Sequence, residues 1–166
     1  MKLLLVRHAA AVPRGTSGVS DDERPLSAEG KTKFLAAARG LARIAHRPDV
    51  LLTSPLPRAR VTAEIAAGVF TNLDLTIEPA LAHGDVDTIV TALKSHPNGA
   101  TVALVGHEPV LGALLARLLG ATPDDGFAFK KGGAALVDLP DGPAGAGRLI
   151  WFVAPRILRT LAGHAA

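Results

Sequence analysis

Leu3-Leu4-Leu5-Val6-Arg7-His8 decides how the chain reads as a fold. Four apolar residues in a row, closed by two polar ones, form the pattern of a strand buried on both faces, as in the middle of a parallel sheet. The same pattern returns over 49–53, 73–77 and 100–105, where Leu51-Leu52 and Val102-Ala103-Leu104-Val105 carry it. In each repeat the apolar run stops at a turn, so the polar residues that follow lie at the strand's C-terminal end.

The segments between these strands have helical periodicity. Ser27 can cap a helix running to about residue 46, with Phe34, Leu35, Ala38, Leu41, Ala42 and Ala45 on an apolar stripe and Lys31, Arg39 and Arg43 toward water. Pro55 or Pro57 starts a second helix that carries Arg58, Thr62 and Ile65 and ends near Gly68. Asp85 can cap a third through Leu93, and a fourth follows Gly106-His107-Glu108-Pro109 with Val110, Leu111, Leu114, Leu115, Leu118 and Leu119 as its core stripe. After Pro123 the pattern changes to a hairpin of 132–139 with 148–153 around the Pro/Gly-rich loop 140–147, and a last helical turn from Pro155. Strands alternating with helices predict an α/β protein, a three-layer α/β/α sandwich whose mostly parallel sheet has helices on both faces. A length of 166 residues suits one domain over 1–166, within the roughly 100–200 residues usual for one.

Composition removes several functions. With no cysteine there is no disulfide framework, thiolate nucleophile or Cys-based metal site. Eighteen Lys and Arg against 15 Asp and Glu leave a net charge of +3, spread along the chain and accompanied by few aromatics, unlike the basic stripe of a nucleic-acid binder. Arg7 and His8 interrupt the apolar start too early for a signal sequence, and no apolar run approaches the ~20 residues a membrane span needs. A cytoplasmic protein with a small anionic substrate is expected, engaging neither membrane nor nucleic acid.

Three of these strand ends carry chemistry. Arg7-His8 follows the first strand, Arg58 sits in the first turn after the second, and His107 follows the later one. Ligands of such sheets bind beyond the strand C-termini, so all three segments are expected on one rim. Two guanidiniums there can fork onto phosphoryl oxygens, and two imidazoles can attack phosphorus or donate a proton. A site without a divalent cation must neutralise the transferred group with cations already in place, which arginine supplies at any physiological pH. Histidine suits as nucleophile because its neutral ring nitrogen is available near pH 7. The residues thus predict a phosphoryl-transfer pocket of Arg7, His8, Arg58 and His107 that uses no metal or other cofactor.

Leu5-Val6-Arg7-His8-Ala9, Thr53-Ser54-Pro55-Leu56-Pro57-Arg58-Ala59 with Thr62, and Val105-Gly106-His107-Glu108-Pro109 together resemble the three signatures of the histidine phosphatase superfamily, the phosphoglycerate mutase-like group, in its order and approximate spacing. The short chain and Arg24-Pro25-Leu26-Ser27 before a helix resemble its compact SixA-type branch of phosphohistidine phosphatases. The resemblance implies a hydrolase in which His8 becomes phosphorylated, Arg7 and Arg58 bind phosphate oxygens, and His107 completes the pocket and stabilises the transition state. It also implies a phosphohistidine protein or a small phosphorylated molecule as partner. Ala9 stands where the family commonly has glycine, and 80–85 lacks a clear match to the carboxylate many members use as general acid. Glu108, Asp85 and His83 are the alternatives for that acid. A phosphoramidate needs less help in leaving than an alkoxide, so a missing strong acid would itself narrow the substrate to phosphohistidine.

Other residues read as structural. His46, His83, His96 and His164 are expected to be ordinary hydrogen-bonded or solvated side chains, His83 apart from its candidacy as acid, and Arg60 a solvated helix residue. Arg14 and Arg24 reach either substrate or solvent. Lys130-Lys131 beside Gly132-Gly133 is either an exposed turn or an anion-binding lip. Rival functions are a metal site of His8, His107 and His83, a non-catalytic phosphate or phosphopeptide binder on the same pocket, a phosphomonoesterase of small molecules, and a mutase.

Overall fold

The computed structural model describes residues 1–71, 73–122 and 126–163, so Pro123 and His164 lie outside the described residues. Its elements run β1 (Lys2–Arg7), α1 (Ala28–Ile44), β2 (Val50–Thr53), α2 (Pro57–Val69), β3 (Leu75–Ile77), α3 (Ala80–His83), α4 (Val86–Leu93), β4 (Thr101–Gly106), α5 (Val110–Leu119), β5 (Ala134–Asp138), β6 (Arg148–Val153) and α6 (Pro155–Gly163). The strands form one six-stranded sheet in the order β3-β2-β4-β1-β5-β6.

The apolar run of β1 lies between two strands, parallel to β4 with Leu5 opposite Leu104 and antiparallel to β5 with Leu5 opposite Ala135. Its side chains alternate between two cores. Leu4 and Val6 pack with α1, α2 and α6 residues such as Phe34, Leu41, Ala63 and Leu158. Leu3 and Leu5 pack on the opposite face with Leu81, Ile89, Leu111 and Leu115 from α3, α4 and α5. Each such burial contributes roughly 1.5–3 kcal/mol, which is why an uninterrupted apolar strand settles in the middle of three layers.

The sheet is mixed. β1, β2, β3 and β4 are parallel, but β5 runs antiparallel to β1 and pairs antiparallel with β6, with a register break between Leu136 and Val137. Ser27 caps α1 by accepting the Gly30 N–H at 3.0 Å, and Asp85 caps α4 by accepting the Thr88 N–H at 2.8 Å. Three features differ from the sequence reading. Leu35 is 38% exposed, one residue off the stripe that packs. The tail forms the nine-residue α6 rather than a single turn, because Gly40 lets its Leu158 carbonyl press directly on α1. The short α3 had no periodic signal and is held by the burial of Leu81.

The segment after β1 is drawn back over the strand ends. Ala11 bridges Leu26, the Ser27 hydroxyl donates to the Ala10 carbonyl at 3.2 Å, and a Cβ on Gly30 would run into that same carbonyl. The first turn of α1 therefore lies hard against the two residues that follow His8.

Candidate active site

Parallel register places the three chemical segments side by side. Arg7 is opposite Gly106, so His8 and His107 emerge from neighbouring strand ends, and their ring centroids lie 4.9 Å apart with the planes inclined at 54°. Leu56 and Pro57 turn the chain after β2 into α2, which brings Arg58 to the same rim. Arg7, His8, Arg58 and His107 line one cavity of about 330 Å³, closed over by Ala11 to Arg14 and by Arg24.

Each imidazole has one assigned nitrogen. The His8 Nδ1 is 2.7 Å from the Ala9 carbonyl, an acceptor only, so Nδ1 carries the proton and Nε2 keeps its lone pair. Burial lowers the His8 pKa from 6.5 to about 4, partly countered by that hydrogen bond and reinforced by Arg58, Arg7 and Lys131. His107 is lowered to about 3, by burial first and then by His8, Arg58, Arg7 and His83. Both rings are neutral at pH 7. The His107 Nε2 lies 2.9 Å from the Ser54 hydroxyl, which also accepts the Leu56 N–H at 3.2 Å.

Both arginines are anchored at one end and open at the other. The Arg7 Nη1 donates to the Phe129 carbonyl at 2.5 Å, and the Arg58 Nη1 donates to the Asp21 carbonyl at 2.7 Å. Arg7 Nε, Arg58 Nε and His107 Nδ1 are buried without a hydrogen-bond partner. Burial lowers the pKa of both guanidiniums, which Glu108 opposes at Arg7. Buried donors with no acceptor carry the full desolvation cost, about 1–3 kcal/mol each and more for charged groups. An oxyanion with several lone pairs relieves that cost.

The remaining candidates separate in space. Glu108 lines the cavity, and its Oε1 accepts the Phe129 N–H at 2.8 Å. Asp85 does not line it, because its carboxylate caps α4 and also accepts from the Thr88 hydroxyl at 2.8 Å. His83 is exposed and faces Asp22 at 3.9 Å. Arg24 is buried, its Nε on the Asp21 carboxylate at 2.8 Å and its Nη1 on the Val12 carbonyl at 2.9 Å. Arg14 is exposed and pairs with Asp21 at 3.0 Å. His46 and Arg60 are exposed, and Arg60 faces Glu64 at 3.5 Å. Among the described residues, no group of three His, Cys, Asp or Glu side chains is placed to hold a metal.

Three residues of the site had no role in the sequence reading. Ser54 contacts His107; Thr62 accepts the Ala9 N–H at 3.0 Å and donates to the Arg58 carbonyl at 2.7 Å, tying the strand end to α2. Ser54 and Thr62 were visible as members of the second signature, but their partners are 53 residues away and no local pattern points to them. Asp21 faces Arg14, Arg24 and, at 3.9 Å, Arg58. Desolvation pushes its carboxyl up, yet Arg24 and Arg14 outweigh this and hold it below its ordinary pKa.

The chain is similar to known proteins in sequence and fold. The model of the histidine phosphatase superfamily (branch 1) matches residues 3–87. An uncharacterised protein of Picosynechococcus sp. is 34% identical over 116 residues, covering 68% of this chain and 69% of its own. The structure of the protein histidine phosphatase SixA complexed with tungstate superposes with a TM-score of 0.81 at 29% identity, over 95% of this chain and 99% of that one. The SixA protein of Agrobacterium tumefaciens superposes with a TM-score of 0.77 at 26% identity, over 93% of this chain and 97% of that one.

Proposed function

Since the chain belongs to the histidine phosphatase superfamily (branch 1) and is a histidine-nucleophile phosphatase, we propose that it hydrolyses phosphohistidine through a covalent intermediate on His8. The observation that carries this reading is the convergence of Arg7, His8, Arg58 and His107 on one cavity, where Arg7 Nε, Arg58 Nε and His107 Nδ1 are buried without partners and hydrogen bonding at Nδ1 leaves the His8 Nε2 its lone pair. A tetrahedral oxyanion in that cavity would meet two guanidiniums and two imidazoles. The neighbouring SixA structure with tungstate, an anion of that shape, supports the same reading.

In the first step the His8 Nε2 lone pair forms a bond to phosphorus while the bond to the leaving nitrogen breaks, and that nitrogen takes a proton from a water, leaving its hydroxide in the site. Arg7 and Arg58 hold the equatorial oxygens, and His107 donates to one of them from Nδ1. The Ser54 hydroxyl sets that tautomer by donating a hydrogen bond to Nε2. In the second step the oxygen of that hydroxide attacks phosphorus, the P–Nε2 bond breaks, and the hydroxide's proton leaves with inorganic phosphate. His8 is restored neutral with its Nδ1 proton on Ala9. Neutrality matters because a protonated ring has no lone pair, and burial keeps the proton off at pH 7.

The substrate class follows from what lines the cavity. Its one carboxylate is Glu108, whose Oε1 is occupied as an acceptor from Phe129. An alkyl ester would need an acid for its alkoxide, whereas a phosphoramidate nitrogen is a better leaving group, so phosphohistidine is favoured over sugar phosphates. The proposal includes a cytoplasmic setting, a protein or small-molecule phosphate donor, and no nucleic-acid partner; no described helix is long and apolar enough to cross a membrane.

The test is a panel of phosphohistidine peptide, sugar phosphates, nucleotides and a chromogenic aryl phosphate on wild type and His8→Ala. His8→Ala should abolish turnover and acid-labile labelling, and Arg58→Ala should lower the rate about 10²–10³-fold, the loss of one transition-state donor. Full activity in His8→Ala removes the nucleophile. Binding without labelling in wild type makes the protein a phosphate-binding module instead. Equal efficiency on alkyl phosphates ends the preference for phosphohistidine.

A further inference from the structure

The Lys130-Lys131-Gly132-Gly133 segment borders a second cavity that phosphoryl transfer does not use. A cleft of about 60 Å³ opens beside the backbone of Ala9 and Ala10, the two residues after the nucleophile. Lys33 from α1, Lys131 from the turn before β5 and Arg159 from α6 all line it, and none of its lining residues is acidic. Lys131 lines the catalytic cavity as well, so the two spaces meet at one side chain.

The cleft is a built feature. The Gly132 N–H donates to the Arg7 and His8 carbonyls at 3.1 Å each, with φ of 78° in the left-handed region that favours glycine. A Cβ there would press on the Phe34 ring at 3.3 Å, and a Cβ on Gly30 would strike the Ala10 carbonyl. Both glycines therefore keep the wall between α1 and the β1 end thin. The amides of Gly132 and Gly133 are both engaged by backbone carbonyls, so these two donors are not free for an anion. Lys33 pairs with Glu29 of its own helix, and both are exposed. The phosphoryl group is met in the catalytic cavity by Arg7 and Arg58, which leaves the cleft's cations without a counter-ion from the reacting group.

Resting on the phosphohistidine reading above, we propose that this cleft is a second anion subsite, which takes a carboxylate or phosphate carried by the substrate beside the group that His8 attacks. In a protein substrate that anion is an Asp or Glu near the phosphohistidine; in a small molecule it is a second phosphate. The cations steer such a substrate and fix its register over the nucleophile.

The test compares binding of orthophosphate, tripolyphosphate, and peptides bearing a non-hydrolysable phosphohistidine analogue flanked by Asp or by Asn, using titration calorimetry on wild type, K33Q and K33Q/R159Q. Either tripolyphosphate or the Asp-flanked peptide should bind wild type more tightly than its single-anion counterpart, and the arm that does so identifies the source. The double variant should lose about two- to twenty-five-fold of that advantage, each surface ion pair being worth about 1.4–5-fold. Its orthophosphate affinity and aryl phosphate turnover should be unchanged. An advantage equal in wild type and variants, or absent from both arms, overturns the subsite. Should the double variant fail to fold, K33Q alone gives the same reading. A wild type inactive on every phosphorylated substrate overturns the catalytic reading, while the binding comparison still decides the cleft.

Discussion

Acidifying this protein from pH 7 to pH 5 should weaken its fold through the two site histidines. In the unfolded chain both titrate near 6.5, whereas in the fold burial holds His8 at about 4 and His107 at about 3. Over the window from 6.5 down to those values the unfolded chain takes up protons that the folded chain refuses. Stability is therefore full above 6.5, falls as the pH drops, and levels off below the folded pKa values. With 1.36 kcal/mol per pKa unit, each histidine costs about 2 kcal/mol between pH 7 and 5, about 4 kcal/mol for the pair. That is a large part of the 5–15 kcal/mol typical of a domain. The assay is urea unfolding at pH 7, 6 and 5 on wild type and on His8→Gln/His107→Gln, which keeps polar side chains but removes both titrations. Carboxylates and the other histidines contribute equally to both proteins, so the difference isolates the pair. Superimposable pH dependences would refute the claim that the site holds two unprotonated buried imidazoles.

Ser54→Ala removes the partner of the His107 Nε2, and kcat should fall about 5–100-fold with little change in KM, read by steady-state kinetics on an aryl phosphate. Thr62→Val keeps the shape but leaves the buried Ala9 N–H without its acceptor, which should cost about 1–3 kcal/mol in urea unfolding. Gly40→Ala would ordinarily stabilise a helix interior, yet here its Cβ would strike the Leu158 backbone, so the unfolding free energy should drop by about 1–3 kcal/mol, lowering the urea midpoint. An unchanged or raised midpoint in Gly40→Ala would mean that α6 does not dock on α1 as described.

Short-range physics made much of this protein legible in its residues. An apolar run with no polar break requires cover on both faces, and β1 has it; Ser27 and Asp85 bind amides three residues ahead, within reach of any reading of caps. The residue types alone, two arginines and two histidines at or just beyond strand ends, already implied phosphate chemistry. What needed the folded chain was everything that depends on which strand lies beside which. Parallel pairing of β1 with β4 is what sets His8 against His107, and antiparallel β5 is what brings the Phe129 carbonyl to Arg7. Asp85 and Glu108 were equal as acids in the linear chain; one is a helix cap and the other faces the cavity. Ser54, Thr62 and Asp21 acquire their partners across tens of residues, because a hydrogen bond depends on distance in space, on which separation along the chain has no hold.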